Sequence, residues 1–107
     1  MADTASLPPS SSGGASQARV STPKARNYLI QLCKHFGHKI PTSFADNKGR
    51  IAFDGGVCEL NADDENALVM VVSASSADKL ATLEDVIDRH LKRFAFKEEL
   101  SVAWVRG

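Results

Sequence analysis

The chain has little cysteine, no excess of charge of either sign and no long apolar run, and each shortage closes off a class of protein. Two cysteines in 107 residues, Cys33 and Cys58, are too few for the disulfide framework of a small secreted domain, and in a reducing compartment they stay thiols. The 13 Lys and Arg cancel the 13 Asp and Glu, so there is no global field to steer the protein onto nucleic acid or an anionic membrane. No apolar run approaches the roughly 20 residues that a membrane-spanning helix needs. The opening MADTASLPPSSSGGASQ lacks the basic start and apolar core of a secretory signal. The expectation is a cytoplasmic protein with no nucleic-acid and no membrane partner.

What is present suits one small soluble domain: 43% hydrophobic and 24% charged residues, enough for a single core. Residues 1–16 are Ser, Gly, Ala and Pro with almost nothing large and apolar. Ordering them costs backbone entropy that no burial offsets, so a disordered tail is expected there and a single folded domain over 17–107. Alternation at Ala18, Val20 and Thr22 predicts a short strand ended by Pro23. Thr22 and Pro23 then form a helix start, the hydroxyl capping amides and the proline occupying the first turn. Ala25, Tyr28, Leu29, Leu32, Cys33 and Phe36 follow the i, i+3, i+4, i+7 spacing of one buried stripe. Gly37 is expected to end this helix in a left-handed cap.

From Pro41 to Ala74 short alternating runs are separated by turn residues: TSFAD, RIAFD, VCELNA and ALVMVVSA, with NKG, GG and DDEN between them. Four antiparallel strands joined by tight turns follow. Ile51 and Phe53, Cys58 and Leu60, and Leu68, Met70 and Val72 mark the faces turned to the helices. Ser75 to Asp78 has capping-box spacing and opens a helix from about Ser76 to Phe94, with Leu80, Leu83, Ile87, Leu91 and Phe94 as its stripe. Its acidic residues precede its basic ones, and Asp85 with Arg89 and Asp88 with Lys92 stand four apart. LSVAWVR alternates as a last strand. The predicted fold is α+β, with two helices packed on one face of an antiparallel sheet in the order β-α-β-β-β-β-α-β. The opposite face carries Arg50, Glu59 and Asn61 but also Ala52, Val69, Val71, Ala103 and Val105. Val69 and Val71, with Ala103 and Val105 if the strands are neighbours, make an apolar interface of the kind that pairs a homodimer.

The chemistry-bearing stretch is LCKHFGHK, Leu32 to Lys39. Cys33 and His35, two apart on a helix, point about 160° from one another and cannot chelate together. His38, past Gly37, can return beside His35, and His90 near the end of the second helix is the third imidazole. If the two helix ends lie together, His35, His38 and His90 form a cluster suited to iron or zinc. Lys39 and Arg93 with a protonated histidine make an anion site from the same residues. Against both stands a plainer role, in which these basic residues complement negative helix ends. Phe36 and Phe94 fall on core stripes and are not placed to stack on nucleic-acid bases.

Enzyme motifs fare poorly. Both thiols fall on or beside apolar faces, where a thiolate is disfavoured. The DGG after Phe53 is not followed by a helix start, as a phosphate loop would be. ADDEN lacks the spacing of a calcium loop. The reading is a non-enzymatic binding domain, with a dimeric interaction module without ligand as the alternative.

YLIQLCKHFGHKIP, GRIAFDGGVCEL, LEDVIDRHLKRFAFKEEL and the closing VAWVRG together resemble the bacterial family called domain of unknown function 2218. The resemblance covers nearly everything from Ala18 to Gly107 and leaves the tail outside. Members occur as small stand-alone proteins and as an extra domain on siderophore-interacting, flavin-binding reductases. The resemblance therefore implies an accessory role in iron handling, with such a reductase as a candidate partner. It implies no catalytic residue, because the family has no assigned reaction, and this chain carries no flavin domain of its own.

Overall fold

A computed structural model describes residues 14–107 of the chain. Most of the expected tail, residues 1–13, lies outside them. The described part contains six strands and two helices: β1 Gly14–Ser21, α1 Ala25–Phe36, β2 Thr42–Ala45, β3 Lys48–Phe53, β4 Gly56–Asn61, β5 Ala67–Ala74, α2 Ala77–Phe94 and β6 Val105–Arg106. One antiparallel sheet joins the strands in the order β2-β3-β4-β5-β1-β6. The fold is α+β, with the element order read from the sequence.

Tight turns make the run from the edge strand β2 to β5 a meander. Asp46 lies between β2 and β3 with φ 55°, and Gly55 lies between β3 and β4 with φ 84°. These are left-handed positions, tolerated by Asp and favoured by Gly, and they match the twist of paired strands. Register then sorts the side chains. Ile51 opposes Cys58, Cys58 opposes Val72, and Leu60 opposes Met70. All five are buried, and with Ala18, Val20 and Leu68 they form the sheet's contribution to the core. The stripes of α1 and α2 complete it: Tyr28, Leu29, Leu32 and Cys33 from one, Leu80, Leu83, Ile87 and Leu91 from the other. Close approach replaces side chains in two places. A Cβ on Gly49 would meet the Cys33 Sγ at 2.7 Å, and one on Gly56 would meet the Ser73 carbonyl oxygen at 2.5 Å.

Several local expectations change. β1 reaches back to Gly14, so residues 14–16 of the expected tail are strand. Pairing of Gly14 with Ala74 and Ser16 with Val72 satisfies their backbone groups, which composition alone does not reveal. Helix α1 starts at Ala25, after Lys24, rather than at Pro23. Thr22 still serves the helix start, because its hydroxyl accepts from the Lys24 amide at 3.1 Å. Gly37 is right-handed, with φ −63° and ψ −13°. Its requirement for glycine is steric: a Cβ would stand 2.6 Å from the Thr42 hydroxyl and 2.9 Å from the Cys33 carbonyl oxygen. Ser76, not Ser75, caps α2, and its Oγ accepts from the Lys79 amide at 3.1 Å. The last strand shrinks to Val105–Arg106, because Leu100, Val102 and Trp104 pack against the core without pairing. No described helix is long and apolar enough to cross a membrane.

Candidate functional site

The two helices end side by side. Lys34 and His35 occupy the last turn of α1, and Lys92 and Arg93 the last turn of α2. Such ends carry partial negative charge on unpaired carbonyls, which explains basic residues locally. Packing then brings imidazoles together: the rings of His35 and His90 lie 4.9 Å apart, centroid to centroid. Phe36 contacts both rings, at 5.0 and 4.9 Å, and Phe94 stands 5.7 Å from His35. Phe53 extends this aromatic cluster to the sheet through Phe36, at 5.1 Å.

His90 is oriented by its own helix. Its Nδ1 lies 2.6 Å from the Val86 carbonyl oxygen; a carbonyl only accepts, so Nδ1 carries the proton and Nε2 is left to the site. Loss of solvent lowers the His35 pKa from its ordinary 6.5, and His90, Arg93, His38 and Lys39 lower it further. Every charge acting on that ring is cationic.

The structure therefore brings His35 and His90 together at the expected helix ends. The three-histidine group is not completed: among the described residues no set of three His, Cys, Asp or Glu side chains is placed to hold a metal. Gly37, expected in a left-handed cap, is right-handed; His38 beyond it is exposed, as is His35, and its charge still acts on the His35 ring. Lys39 and Arg93 are exposed near the ring pair, and none of the ion pairs found among the described residues uses either. The thiols are buried, and desolvation raises both, Cys58 to about 12.

On the opposite face of the sheet, register sets polar residues beside the expected apolar ones. Val71 sits between Gln17 and Glu59, and Val69 between Arg19 and Asn61. β1 separates Val71 from Val105, because Gln17 pairs with both. A groove of about 610 Å³ remains there, and Val71, Ala103 and Val105 are in its lining.

Sequence reasoning missed two polar links that hold the C-terminal segment. Arg106 donates through Nε and an Nη to the two carboxylate oxygens of Glu84, at 3.1 and 2.8 Å. Glu84 is buried on the apolar side of α2; its position next to Leu83 and four after Leu80 was the available signal. Glu98 accepts from the Tyr28 hydroxyl and, at 2.9 Å, from the Thr22 hydroxyl. No sequence pattern announces that pair, which spans almost the whole domain. Burial, then the Glu98 carboxylate, pushes the Tyr28 pKa up to about 12.

No curated protein matches the chain. Among solved structures, the NMR structure of PA4090 from Pseudomonas aeruginosa is similar, with a TM-score of 0.74 and 35% identity over 86% of this chain and 95% of that one. A family profile described as uncharacterized protein conserved in bacteria matches residues 17–105. With nearly all of its folded part matched, the chain belongs to that family, DUF2218.

Proposed function

We propose that this protein is a non-enzymatic binding domain whose helix-end cluster holds a small anion of the carboxylate or phosphate class. One observation carries the reading: the His35–His90 ring pair, 4.9 Å apart, is surrounded by Arg93, His38 and Lys39, and no carboxylate acts on His35. Compensation of helix ends accounts for only part of this charge. Two C-termini together present about one negative charge, whereas Lys34, Lys39 and Arg93 are three cations before any histidine is protonated. An anion supplies the missing counter-charge and, by favouring imidazolium, draws a proton onto the pair. An accessory role beside siderophore-interacting reductases, suggested by the family resemblance, is compatible with such a site.

The test is an NMR titration of the untagged protein with inorganic phosphate, following the imidazole signals of His35 and His90. Saturable shifts that tighten as pH falls, and that vanish in Arg93→Ala and His35→Ala variants of intact fold, support the site. Absence of saturable shifts at mildly acidic pH overturns it. A second reading, a homodimer paired through the outer sheet face, is favoured by Val105, 69% exposed beside the groove. Sedimentation equilibrium of wild type against Val105→Lys distinguishes that dimer from a monomer.

A further inference from the structure

Of the two strands at the margins of the sheet, β6 spans only Val105–Arg106, whereas β2 spans Thr42–Ala45 and has no neighbouring strand on its outer side among the described residues. The Pro41 carbonyl oxygen accepts from the Ala52 amide at 2.9 Å. By alternation Ser43 and Ala45 then bond to β3, and the amides and carbonyls of Thr42 and Phe44 turn outward. Native edges of this kind are blunted by a lysine, a proline or a bulge. TSFA has neither lysine nor proline, its pairing with β3 is continuous, and Phe44 is 42% exposed. Phe44 lies on the helix side of the sheet, since it stands opposite Gly49, where a Cβ would meet the Cys33 Sγ. Partly buried Ile30 borders the same margin. It lies one turn after Arg26, whose Nε donates to the Asp46 carbonyl oxygen at 3.3 Å, and three residues before Cys33, whose thiol faces the Ser43 carbonyl oxygen at 3.9 Å.

We propose that β2 receives an extended segment of another protein as an added strand, and that this segment alternates apolar with acidic residues. The proposal stands apart from the anion site. Outward amides and carbonyls supply the pairing, and apolar residues on the helix side cover Phe44 and Ile30. Charge selects the other side. From Gly37 to Phe53 the chain has one acidic residue, Asp46, against Lys39, Lys48 and Arg50. On the outer face Arg50 stands opposite Ser43 and Lys48 opposite Ala45. Two long cationic arms therefore rise behind two small side chains, around a hollow of about 330 Å³ that Glu59 also lines. Lys48 is held by Asp63 at 2.9 Å, but none of the ion pairs found among the described residues uses Arg50, Arg26 or Lys34. Glu59 opposes Arg50 in register one strand further from the edge, so it tempers this charge from behind and leaves the margin itself cationic. Carboxylates on the added strand meet the arms across Ser43 and Ala45, as opposite charges on neighbouring strands do. A second copy of the chain fits less well, because two β2 edges bring no carboxylate to the seam and face one cationic margin with another.

The experiment is an amide NMR titration at low salt with two short capped peptides, one alternating valine with glutamate and the other valine with lysine. The glutamate peptide is expected to give saturable shifts at Thr42, Phe44 and Arg50, to slow amide exchange at Thr42 and Phe44, and to bind roughly tenfold more tightly than the lysine peptide, the size of two exposed ion pairs. Phe44→Pro removes one outward donor at an edge position that tolerates proline and is expected to abolish binding. Arg50→Gln, an exposed substitution that keeps the fold, is expected to reduce the preference to about threefold. Equal affinity for the two peptides, no saturable shift with either, or shifts that avoid β2 overturn the proposal. So does dependence of the Thr42 and Phe44 signals on protein concentration alone, which makes a second copy the occupant. Phosphate binding at His35 and His90 is read from their imidazole signals and stands or falls separately.

Discussion

The ring of His35 rests against that of His90, centroids 4.9 Å apart, across the seam where two helices end. Because loss of solvent and the charges of His90, Arg93, His38 and Lys39 resist its protonation, His35 is expected to titrate below 6.5 in the native protein. The unfolded chain takes up that proton at the ordinary pKa, so acidification from neutral pH through the lowered value favours unfolding. Urea denaturation between about pH 7.5 and 5.5 should lose stability, and His35→Gln should flatten part of that slope. An equal slope in the variant excludes His35 as its source.

Glu84 acts in the opposite sense. Its hydrogen bonds from Arg106 hold its pKa below the ordinary 4.5, against the desolvation that raises it. The stabilisation is complete above the unfolded value and is lost as pH falls through the lowered folded one. Glu84→Gln should therefore weaken the protein at neutral pH and show a shallower acid transition below about pH 4.5. Amide exchange should also quicken at Gln17 and Arg106, since the link holds β6 on β1, and stay slow at Met70.

Cys33 and Cys58 are both buried, at 1% and 0% exposure, and desolvation raises both pKa values. A thiolate is the reactive form. Native protein should release no colour with a disulfide reagent at neutral pH, and both thiols should react once it is denatured. Rapid reaction of either in the native state contradicts the packing.

The two helices and the four-strand meander were legible because their apolar residues repeat at 3.6 and 2 and because turn residues stand between them. Tyr28 and Leu32, or Cys58 and Leu60, declare their faces without reference to anything distant. Convergence of His35 with His90 was legible only as a condition, since it depends on where two helices end in space. The Glu98 pairing with Tyr28 and Thr22 was not legible: a carboxylate in a polar stretch looks the same whether it is solvated or bound. Gly37 was misread for a related reason. Glycine after a helix suits a left-handed turn, and nothing local reveals that Thr42 comes within contact distance.

Gly37→Ala tests that steric reading. Its φ is accessible to any residue, so the loss comes from the added methyl against Thr42 and the Cys33 carbonyl. A destabilisation of about 1–3 kcal/mol is expected, as for overpacking elsewhere. Gly37→Asn, which a left-handed cap would accept, should be no better tolerated. Thermal unfolding of the two variants checks both points; an asparagine variant as stable as wild type contradicts the right-handed turn.

Placement of β1 between β5 and β6 joins Gln17 to Val105, residues near opposite ends of the matched region. On the ribosome, β1 emerges first and must wait for β5 and then for Val105 before both its edges are paired. At about 5–20 residues per second this interval lasts seconds. Throughout it an alternating apolar strand presents unpaired amides and carbonyls, so the burden on chaperones falls during synthesis, before the finished domain exists.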